Sequence, residues 1–415
     1  MTATDQTDFD IVIAGGGMIG SSLAVALEPL GFRVAVVEPV ARAGREHPSF
    51  DERSTALSRS SQRTFEAMGL WPRIVASATP IHSIHVSEKG RFGFSHIDRQ
   101  EQRVEALGYV VINRVLGDVL GDAMSKQDGL SLFCPARIVA IERKDDRMTA
   151  VVESASGEKR LHCRLLVAAD GAGSAVREMM GISASRTDYG QSAVIGNVLT
   201  EIPLRNRAFE RFTSEGPLAV LPIADERAAF IWILPQERAR DVMGLGDAEF
   251  TRSLQQSFGL RLGEFSRVGE RAAYPLALTR ANGLVSPRGV LIGNAAHGLH
   301  PVAAQGFNLG MRDVAALCDC LLESKLSGEA GDADPGSDAV LQTYAAWRRG
   351  DQRKVVQFTD GLVRLFANRT PPVRLLRNAG MLGFDLVPGV RSLFARHTMG
   401  LAGRLPRLSR GVPLK

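Results

Sequence analysis

Apolar residues in the first 40 positions follow the pattern of a strand, a helix and a second strand. A short apolar run at 9–14 (FDIVIA) precedes a glycine-rich turn, the segment SSLAVALEPLG has helical spacing, and RVAVVE at 33–38 is apolar again. Short apolar runs bounded by turns are typical of buried strands, whereas apolar positions three and four apart indicate a helix. The pattern predicts a βαβ unit.

Further along, the pattern of apolar positions divides the chain into two kinds of segment. Helices are predicted at 56–69 and 114–126, and strands over 130–168. Residues 186–275 then alternate apolar and polar positions, with one helix at about 246–257, which is typical of an antiparallel sheet. The strand GVLIG at 289–293 is again a short apolar run like those at the start of the chain, and helices follow from Gln305 onward.

This order predicts an α/β protein whose nucleotide-binding domain is made of two separated pieces. A mostly β domain is inserted between them, and helices end the chain. The predicted boundaries are 1–185 plus 276–330 for the nucleotide-binding domain, 186–275 for the substrate-binding β-sheet domain, and 331–415 for a C-terminal helical region with a basic tail.

The length and composition are typical of a folded protein with more than one domain. The 415 residues are 45% hydrophobic and 23% charged, which is ordinary for globular proteins. Four cysteines lack C-x-x-C spacing, so neither a disulfide framework nor a zinc site is predicted. The acidic N-terminal segment does not resemble a signal peptide, and no run of about 18 apolar residues occurs. We therefore expect a cytoplasmic protein, with peripheral attachment to the inner face of the cell membrane as an option.

Charge is concentrated at the end of the chain. Residues 361–415 hold ten basic residues and one acid, a net +9, whereas the whole chain is +5. Leucines and phenylalanines alternate with these arginines. Such a segment either meets an anionic membrane surface or a protein partner, or packs its apolar side on the protein and turns its arginines to water. No nucleic-acid-binding motif accompanies the charge, so nucleic acid is not an expected partner.

The glycine-rich turn after the first strand carries the first chemical signal. Gly15, Gly17 and Gly20 form G-x-G-x-x-G between a strand and a helix, and Glu38 ends the next strand. Glycines at these positions allow a pyrophosphate to lie on the helix N-terminus, and the acid suits the ribose hydroxyls of an adenosine. The motif predicts dinucleotide binding but does not distinguish FAD from NAD.

Two later segments complete a recognisable set. AADGAGSAVR at 168–177 follows an apolar strand, and GNAAHGLHPVAAQGFNLGMRDV at 293–314 precedes a helix. With DERSTALS at 51–58, this ordered set resembles the FAD-dependent aromatic hydroxylases related to para-hydroxybenzoate hydroxylase, and among them the ubiquinone-biosynthesis hydroxylases. Segments 358–369 and 375–381 resemble the 2-octaprenyl-6-methoxyphenol hydroxylase branch.

The resemblance implies a Rossmann-like FAD-binding domain with an inserted β-sheet substrate domain, and it implies roles for individual residues. Arg53 matches a residue near the pyrophosphate, Arg114 with Asn113 beside it begins a helix facing the ribityl chain, and Asp170 matches an acid serving FAD and the reductant. Asn294 stands where most relatives have Asp at the ribityl chain, and it retains an acceptor oxygen. The expected FAD-binding residues are Gly15, Gly17, Gly20, Glu38, Arg53, Arg114, Asp170, Asn294, Gln305, Gly306 and Asn308.

The second glycine-rich segment is expected to hold the flavin ring. Its small residues let the backbone lie against a flat ring, and the helix beginning near Gln305–Asn308 would direct its positive end at the pyrimidine edge of the flavin. Ala304 departs from the Gly of many relatives, which leaves the local loop shape open.

Two histidines in this segment invite other readings. His297 and His300 lie three apart, but no further metal ligand is positioned by the sequence, so no metal is expected. His300 and Pro301 are candidates for a substrate-side backbone role, or for plain loop hydrogen bonding. Trp232 and the apolar residues of 217–234 either line a substrate pocket or belong to the core.

The activity implied by the resemblance is hydroxylation of a polyprenylated methoxyphenol on the way to ubiquinone. NAD(P)H reduces FAD, O2 adds to form a flavin hydroperoxide, and oxygen is transferred to the phenol ring. Alternatives are a hydroxylase of a small soluble phenol, a flavin dehydrogenase or halogenase, and a weakly active flavin-binding scaffold subunit working with other ubiquinone-biosynthesis proteins.

Overall fold

The computed structural model describes residues 6–41, 52–90, 94–144, 146–224, 227–298, 305–327, 334–367 and 388–414. The strands of this part of the chain are β1 (Gln6–Ala14), β2 (Val34–Val37), β3 (Ser54–Ser58), β4 (Ala78–Ile81), β5 (Ser83–Glu88), β6 (Phe94–Asp98), β7 (Gly108–Ile112), β8 (Leu130–Phe133), β9 (Ala136–Arg143), β10 (Met148–Ser154), β11 (Gly157–Ala168), β12 (Ala184–Thr200), β13 (Arg207–Phe212), β14 (Pro217–Ala224), β15 (Arg227–Pro235), β16 (Phe265–Ser266), β17 (Ala272–Ala281), β18 (Val285–Ser286), β19 (Gly289–Leu291) and β20 (His297–Gly298).

Helices alternate with these strands early in the chain and dominate its end. They are α1 (Met18–Ala26), α2 (Arg59–Ala67), α3 (Trp71–Val75), α4 (Asn113–Ser125), α5 (Ala175–Met179), α6 (Gln236–Met243), α7 (Asp247–Phe258), α8 (Gln305–Ser327), α9 (Asp338–Ala367) and α10 (Pro388–Thr398). Short 3-10 turns cover Glu28–Leu30, Gly293–Ala295 and Leu408–Arg410.

The first sheet contains the predicted βαβ unit. Its strands β19, β11, β1, β2 and β8 are parallel neighbours in that order, and β9, β10 and β18 extend it by antiparallel pairing. Strand β19 follows β11 by more than a hundred positions yet pairs with it, Leu166 opposite Gly289. The nucleotide-binding sheet is therefore assembled from two separated pieces of the chain.

The second sheet is mostly antiparallel and has two different faces. Its strands run in the order β20–β17–β12–β15–β14–β13–β5–β6, with β16 on the edge of β12, and only β13 and β5 among these pairs are parallel. Helices α6 and α7 cover one face, which we call the helix-covered face; the other we call the opposite face. Strands β5 and β6, at 83–98, join this sheet from outside the range 186–275 predicted for the inserted domain.

The third sheet corrects one predicted helix. Residues 56–58, predicted as the start of a helix over 56–69, belong to β3 and pair with β7, and α2 begins only at Arg59. The Ser58 side chain accepts a hydrogen bond from the Ser61 N–H and so caps α2. Helix α6 was not predicted, because QERARDVM follows an apolar strand and has few apolar positions of its own.

The predicted fold is confirmed, and the end of the chain packs on its core. Ala395 and Met399 are buried against the opposite face of the second sheet, whereas Leu408 and Leu414 are buried in the core of the first domain. The Ser60 N–H donates to the Met399 carbonyl at 3.1 Å. The C-terminal segment is therefore a structural part of the body, although residues 368–387 lie outside the described part.

Candidate active site

The first glycine loop is shaped by close approach of backbone segments. Gly15 has φ of +100°, and a Cβ there would lie 2.6 Å from the Ala169 carbonyl oxygen. A Cβ at Gly20 would overlap the Gly15 carbonyl oxygen. Gly17, in contrast, has φ −67° and ψ −173°, which any residue adopts. The protein itself requires glycine at positions 15 and 20, whereas the backbone conformation of Gly17 does not require it, and the predicted approach of a ligand to Gly17 stays a prediction.

The N-terminus of α1 is suited to an anion. No side chain caps this nine-residue helix, and its first turn contains no acid. Unpaired N–H groups and the positive end of the helix dipole favour a phosphate at this place. The residues present therefore fit the pyrophosphate of FAD.

Glu38 lies at the end of β2, beside this loop, and is 5% exposed. Its Oε2 accepts from the Gly16 N–H at 2.6 Å and its Oε1 from the Val40 N–H at 2.9 Å. A carboxylate has further lone pairs, so the same oxygens remain able to accept ribose hydroxyls. The predicted ribose contact stays a prediction, and the structure adds that Glu38 orders the glycine loop.

The Asp170 segment organises the adjoining loop. Asp170 Oδ2 accepts from the Val176 N–H at 3.1 Å, its Oδ1 accepts from the Ser174 hydroxyl, and Ser174 caps α5 by accepting from the Arg177 N–H. Arg177, which is 4% exposed, donates to the carbonyls of Ala172 and Ala295, both at 3.1 Å. Arg177 thereby joins the 170–177 loop to the second glycine-rich segment, a role that sequence reasoning missed.

The two glycine-rich segments meet at Ile19. A Cβ at Gly310 would lie 2.7 Å from Ile19 Cδ1, and one at Gly293 would lie 3.1 Å from Ile19 Cγ2. Gly293 and Ala295 are buried, whereas Asn294 between them is exposed. The 3-10 turn therefore presents the Asn294 side chain outward from the same region that holds the α1 N-terminus, and its predicted contact with the cofactor stays a prediction.

Asp313 anchors the second loop from behind and was not predicted. Its Oδ2 accepts from the Gly293 N–H at 3.0 Å and from His297 Nε2 at 2.6 Å, and its Oδ1 accepts from Arg348 Nε at 2.7 Å and Gln352 Nε2 at 3.0 Å. Burial favours a raised pKa, but the charges of Arg348 and His297 with their hydrogen bonds hold the pKa of Asp313 well below its usual range. His297 thus has a carboxylate partner in Asp313. The Asp in GMRDV was the available signal.

The start of α8 connects to the DERSTALS segment. Asn308 Oδ1 accepts from the Ser58 N–H at 2.8 Å and the Ser61 hydroxyl at 2.7 Å, and its Nδ2 donates to the Ala56 carbonyl at 2.9 Å. Gln305 is 3% exposed and Gly306 half-buried. The Asn308 amide thus joins α8 to the DERSTALS segment, and its predicted contact with FAD stays a prediction.

The two arginines carried over from the resemblance occupy different surroundings. Arg53 lies over the Tyr274 ring, 4.9 Å from its centroid, and so touches the opposite face of the second sheet. Arg114 is exposed and its Nε is 2.7 Å from Glu52 Oε1. Their predicted flavin contacts remain predictions.

The remaining residues singled out from the sequence either lie outside the described residues or are buried. His300, Pro301 and Ala304 lie outside the described residues. Trp232 is fully buried on the helix-covered face against Phe250, so its interpretation as core is confirmed. Its neighbours Ile231 and Ile233 point to the opposite face instead. No cluster of three or more potential metal-ligating side chains occurs among the described residues.

Comparison with known proteins agrees with this geometry. Residues 8–359 match the family described as FAD binding domain. The chain is 36% identical to a ubiquinone hydroxylase of Rhodospirillum rubrum over 98% of this chain and 93% of that protein, and 32% identical to the 3-demethoxyubiquinol 3-hydroxylase of Escherichia coli over 94% and 98%. Its fold is similar to that of p-nitrophenol 4-monooxygenase from Pseudomonas putida, with a TM-score of 0.78 at 20% identity over 96% of this chain and 99% of that structure.

Proposed function

The chain belongs to the FAD binding domain family, and on that premise we propose that this FAD-dependent monooxygenase hydroxylates the ring of a polyprenylated methoxyphenol in ubiquinone biosynthesis. The observation that carries the proposal is the near full-length similarity to relatives named as hydroxylases of that pathway. Reduced FAD, formed with NAD(P)H, activates O2 so that one oxygen atom is transferred to the ring.

The chain's own residues would hold the cofactor and shield it. The α1 N-terminus and Gly17 would receive the pyrophosphate, Glu38 the ribose, and Asn294 a ribityl hydroxyl. The N-terminus of α8 would place positive charge near the pyrimidine edge of the ring, where negative charge gathers on reduction. Exclusion of water by the second sheet would protect the reactive state from hydrolysis.

An apolar surface supports a prenylated substrate over a small soluble one. On the opposite face, Ile195 and Ile231 are half-buried beside the buried Ala193, Ile233 and Leu276. Such a surface suits an isoprenoid chain, because apolar area removed from water stabilises binding.

A substrate with a long prenyl chain resides in a membrane, so we infer that the basic tail meets an anionic leaflet or a partner protein there. Leu393 is 67% exposed on α10, and Arg396 one turn later is exposed. None of the described helices combines the length and the apolar character needed to cross a membrane.

Deleting the gene and identifying the ring compound that accumulates tests the proposal. A prenylated methoxyphenol lacking one hydroxyl group is expected, and the wild-type gene should restore ubiquinone. Normal ubiquinone in the deletion strain, or accumulation of an unprenylated phenol, would overturn the proposed substrate. The purified protein should then hydroxylate the accumulated compound with NAD(P)H and O2.

A further inference from the structure

The opposite face of the second sheet carries one carboxylate in an otherwise apolar row. Glu210 on β13 is paired with Val86 on β5 on one side and with Ala219 on β14 on the other. From Ala219 the row continues to Ile231 on β15, and from there to Ile195 on β12. Side chains paired across neighbouring strands point to the same face. All five of these residues are half-buried. The row is therefore a partly open strip across four neighbouring strand pairs.

Other parts of the chain contact the same face on both sides of this strip. On one side, Ala208 packs with Ala395 and Met399 at the end of the chain. On the other side, the Tyr274 ring receives Arg53 from the flavin-binding part. Other parts of the chain thus flank the strip on both sides, and we infer that the space over it is a cleft that a ligand enters, because ligands bind preferentially at such boundaries.

Glu210 is unusual for a carboxylate in this position. Among the described residues, no group forms a hydrogen bond or ion pair with it, although it is removed far enough from water that burial raises its pKa to about 7. The titratable group nearest on this face is Glu88, two positions along β5 from Val86, and the other members of the strip do not ionise. Glu210 is thus a partly accessible yet desolvated carboxylate, and no contact among the described residues offsets the free energy that its burial costs.

We propose that Glu210 receives the phenolic hydroxyl of the aromatic substrate in this cleft. The inference rests on the proposed function and adds to it the residue that makes the ring reactive. The phenol O–H proton passes to the Glu210 carboxylate, and the electron pair left on oxygen increases electron density in the ring. A ring carbon then forms the new bond to one oxygen atom as the O–O bond of the activated O2 breaks, and the other oxygen atom leaves as water. That carbon then loses its hydrogen as a proton, and Glu210 returns its proton to the phenolate oxygen.

The reaction balances with the reductant and oxidant that the family uses. Phenol, O2, NAD(P)H and one proton give the diphenol, oxidised nicotinamide and water. Glu210 ends in its starting state, so it acts as a proton acceptor and donor within each turnover.

The test compares a farnesylated methoxyphenol with its O-methyl ether, which has no hydroxyl proton to give. The variants are Glu210→Gln, Glu210→Asp and, as a control, Glu215→Gln, which removes a half-buried carboxylate that pairs with Arg238 at the β13–β14 turn. We expect Glu210→Gln to keep its FAD and to oxidise NAD(P)H. It should form product from the phenol about a hundredfold more slowly, which is the low end of the rate effects that a positioned proton acceptor produces. Glu210→Asp should retain part of that rate.

The pH profile separates this role from a structural one. In the wild-type protein, product formation should rise through a pH of about 7 as Glu210 ionises. In Glu210→Gln the rise should move toward the ionisation of the phenol itself, near about 10. An unchanged rate, profile and preference for phenol over ether in Glu210→Gln would overturn the inference while leaving the proposed function standing. Failure of the wild-type protein to hydroxylate either compound would remove the proposed function and this inference together.

Discussion

At the scale of single residues, the glycines of the first loop differ in what surrounds them. The sequence motif predicted all three from their spacing, but the structure separates Gly15 and Gly20, where neighbouring backbone leaves no room for a Cβ, from Gly17, whose backbone conformation any residue adopts. Spacing alone carries no information on which glycine meets the protein and which meets the ligand, because the contacts involve Ala169, more than 150 positions away.

Replacing Gly17 tests this division. Gly17→Ala should leave the free energy of unfolding of the apoprotein nearly unchanged, since its backbone conformation suits alanine, while FAD content falls because the added methyl group occupies the pyrophosphate position. Gly20→Ala should instead destabilise the apoprotein, by roughly 1–3 kcal/mol for an overpacked site. Urea unfolding and the flavin-to-protein absorbance ratio measure both; full FAD content in Gly17→Ala contradicts the assignment.

Asn294 offers a second residue-scale test. Asn294→Asp should keep FAD, since the acceptor oxygen remains, and should lower the reduction potential because a negative charge is added near the ring. Asn294→Leu should lose FAD. As apoproteins, both variants are expected to unfold at the temperature of the wild-type apoprotein, because residue 294 is exposed. Equal FAD affinity in the Leu variant would mean that this turn does not contact the cofactor.

At the scale of elements, the apolar pattern predicted strands and helices better than the faces they present. In β15, the run AAFIWILP is apolar at nearly every position, so the sequence does not show which residues lie on which face of the sheet. Helices α6 and α7 cover the face that carries Trp232 and not the face that carries Ile231. The start of α2 was predicted too early because the residues of β3 also fit a helical pattern, and pairing with β7 decides between the two. Long-range pairing overrides local preference in both cases.

Asp313 joins three elements, and no local pattern predicted it. Arg348 lies 35 positions away on α9, and His297 lies on β20. Asp313→Asn should lower the free energy of unfolding by roughly 1–3 kcal/mol, because it removes one of the two carboxylates paired with the buried Arg348, while Asp351 remains. Asp334→Asn is the matched control: its carboxylate pairs with Arg288 but is 26% exposed, so a smaller loss is expected in urea unfolding.

The same network predicts a pH dependence. Because the pKa of Asp313 is lowered in the folded protein, its contribution to stability is present above the unfolded value of about 3.9 and is lost as the pH falls toward the folded pKa. Unfolding free energies measured from neutral pH downward should therefore decline less steeply in Asp313→Asn than in the wild type. Parallel curves for the two proteins would contradict this.

At the scale of the whole molecule, the sequence predicted the discontinuous domain but not how the basic tail is divided. Arg391 lies 3.6 Å from Glu101, and the Arg407 backbone N–H donates to Asp319 at 2.9 Å, so these two positions serve the fold. Arg396 and Leu393 are exposed. A count of charges cannot separate Arg396 from Arg391 and Arg407, because all three are arginines in one segment.

Membrane attachment is tested on the exposed positions. Arg396→Glu with Leu393→Glu should release the protein from anionic liposomes and slow turnover of a prenylated phenol, since each basic group near an anionic leaflet contributes about 1 kcal/mol. Bound FAD and NAD(P)H oxidation should stay at wild-type level. Arg137→Glu, on an exposed strand of the first sheet, is the control and should still sediment with liposomes. If the double variant also sediments, the tail is not a membrane contact.

The pairing of β19 with β11 has a consequence for how the protein is made. While the chain emerges from the ribosome, the edge at Leu166–Ala168 must wait for Gly289–Leu291, which are synthesised about 120 residues later. At ~5–20 residues per second, that wait lasts roughly 6–24 seconds. During that time the edge is open to pairing with other nascent strands. The inserted sheet thus sets a period in which a chaperone, or slower translation of residues 169–288, would change the yield of folded protein.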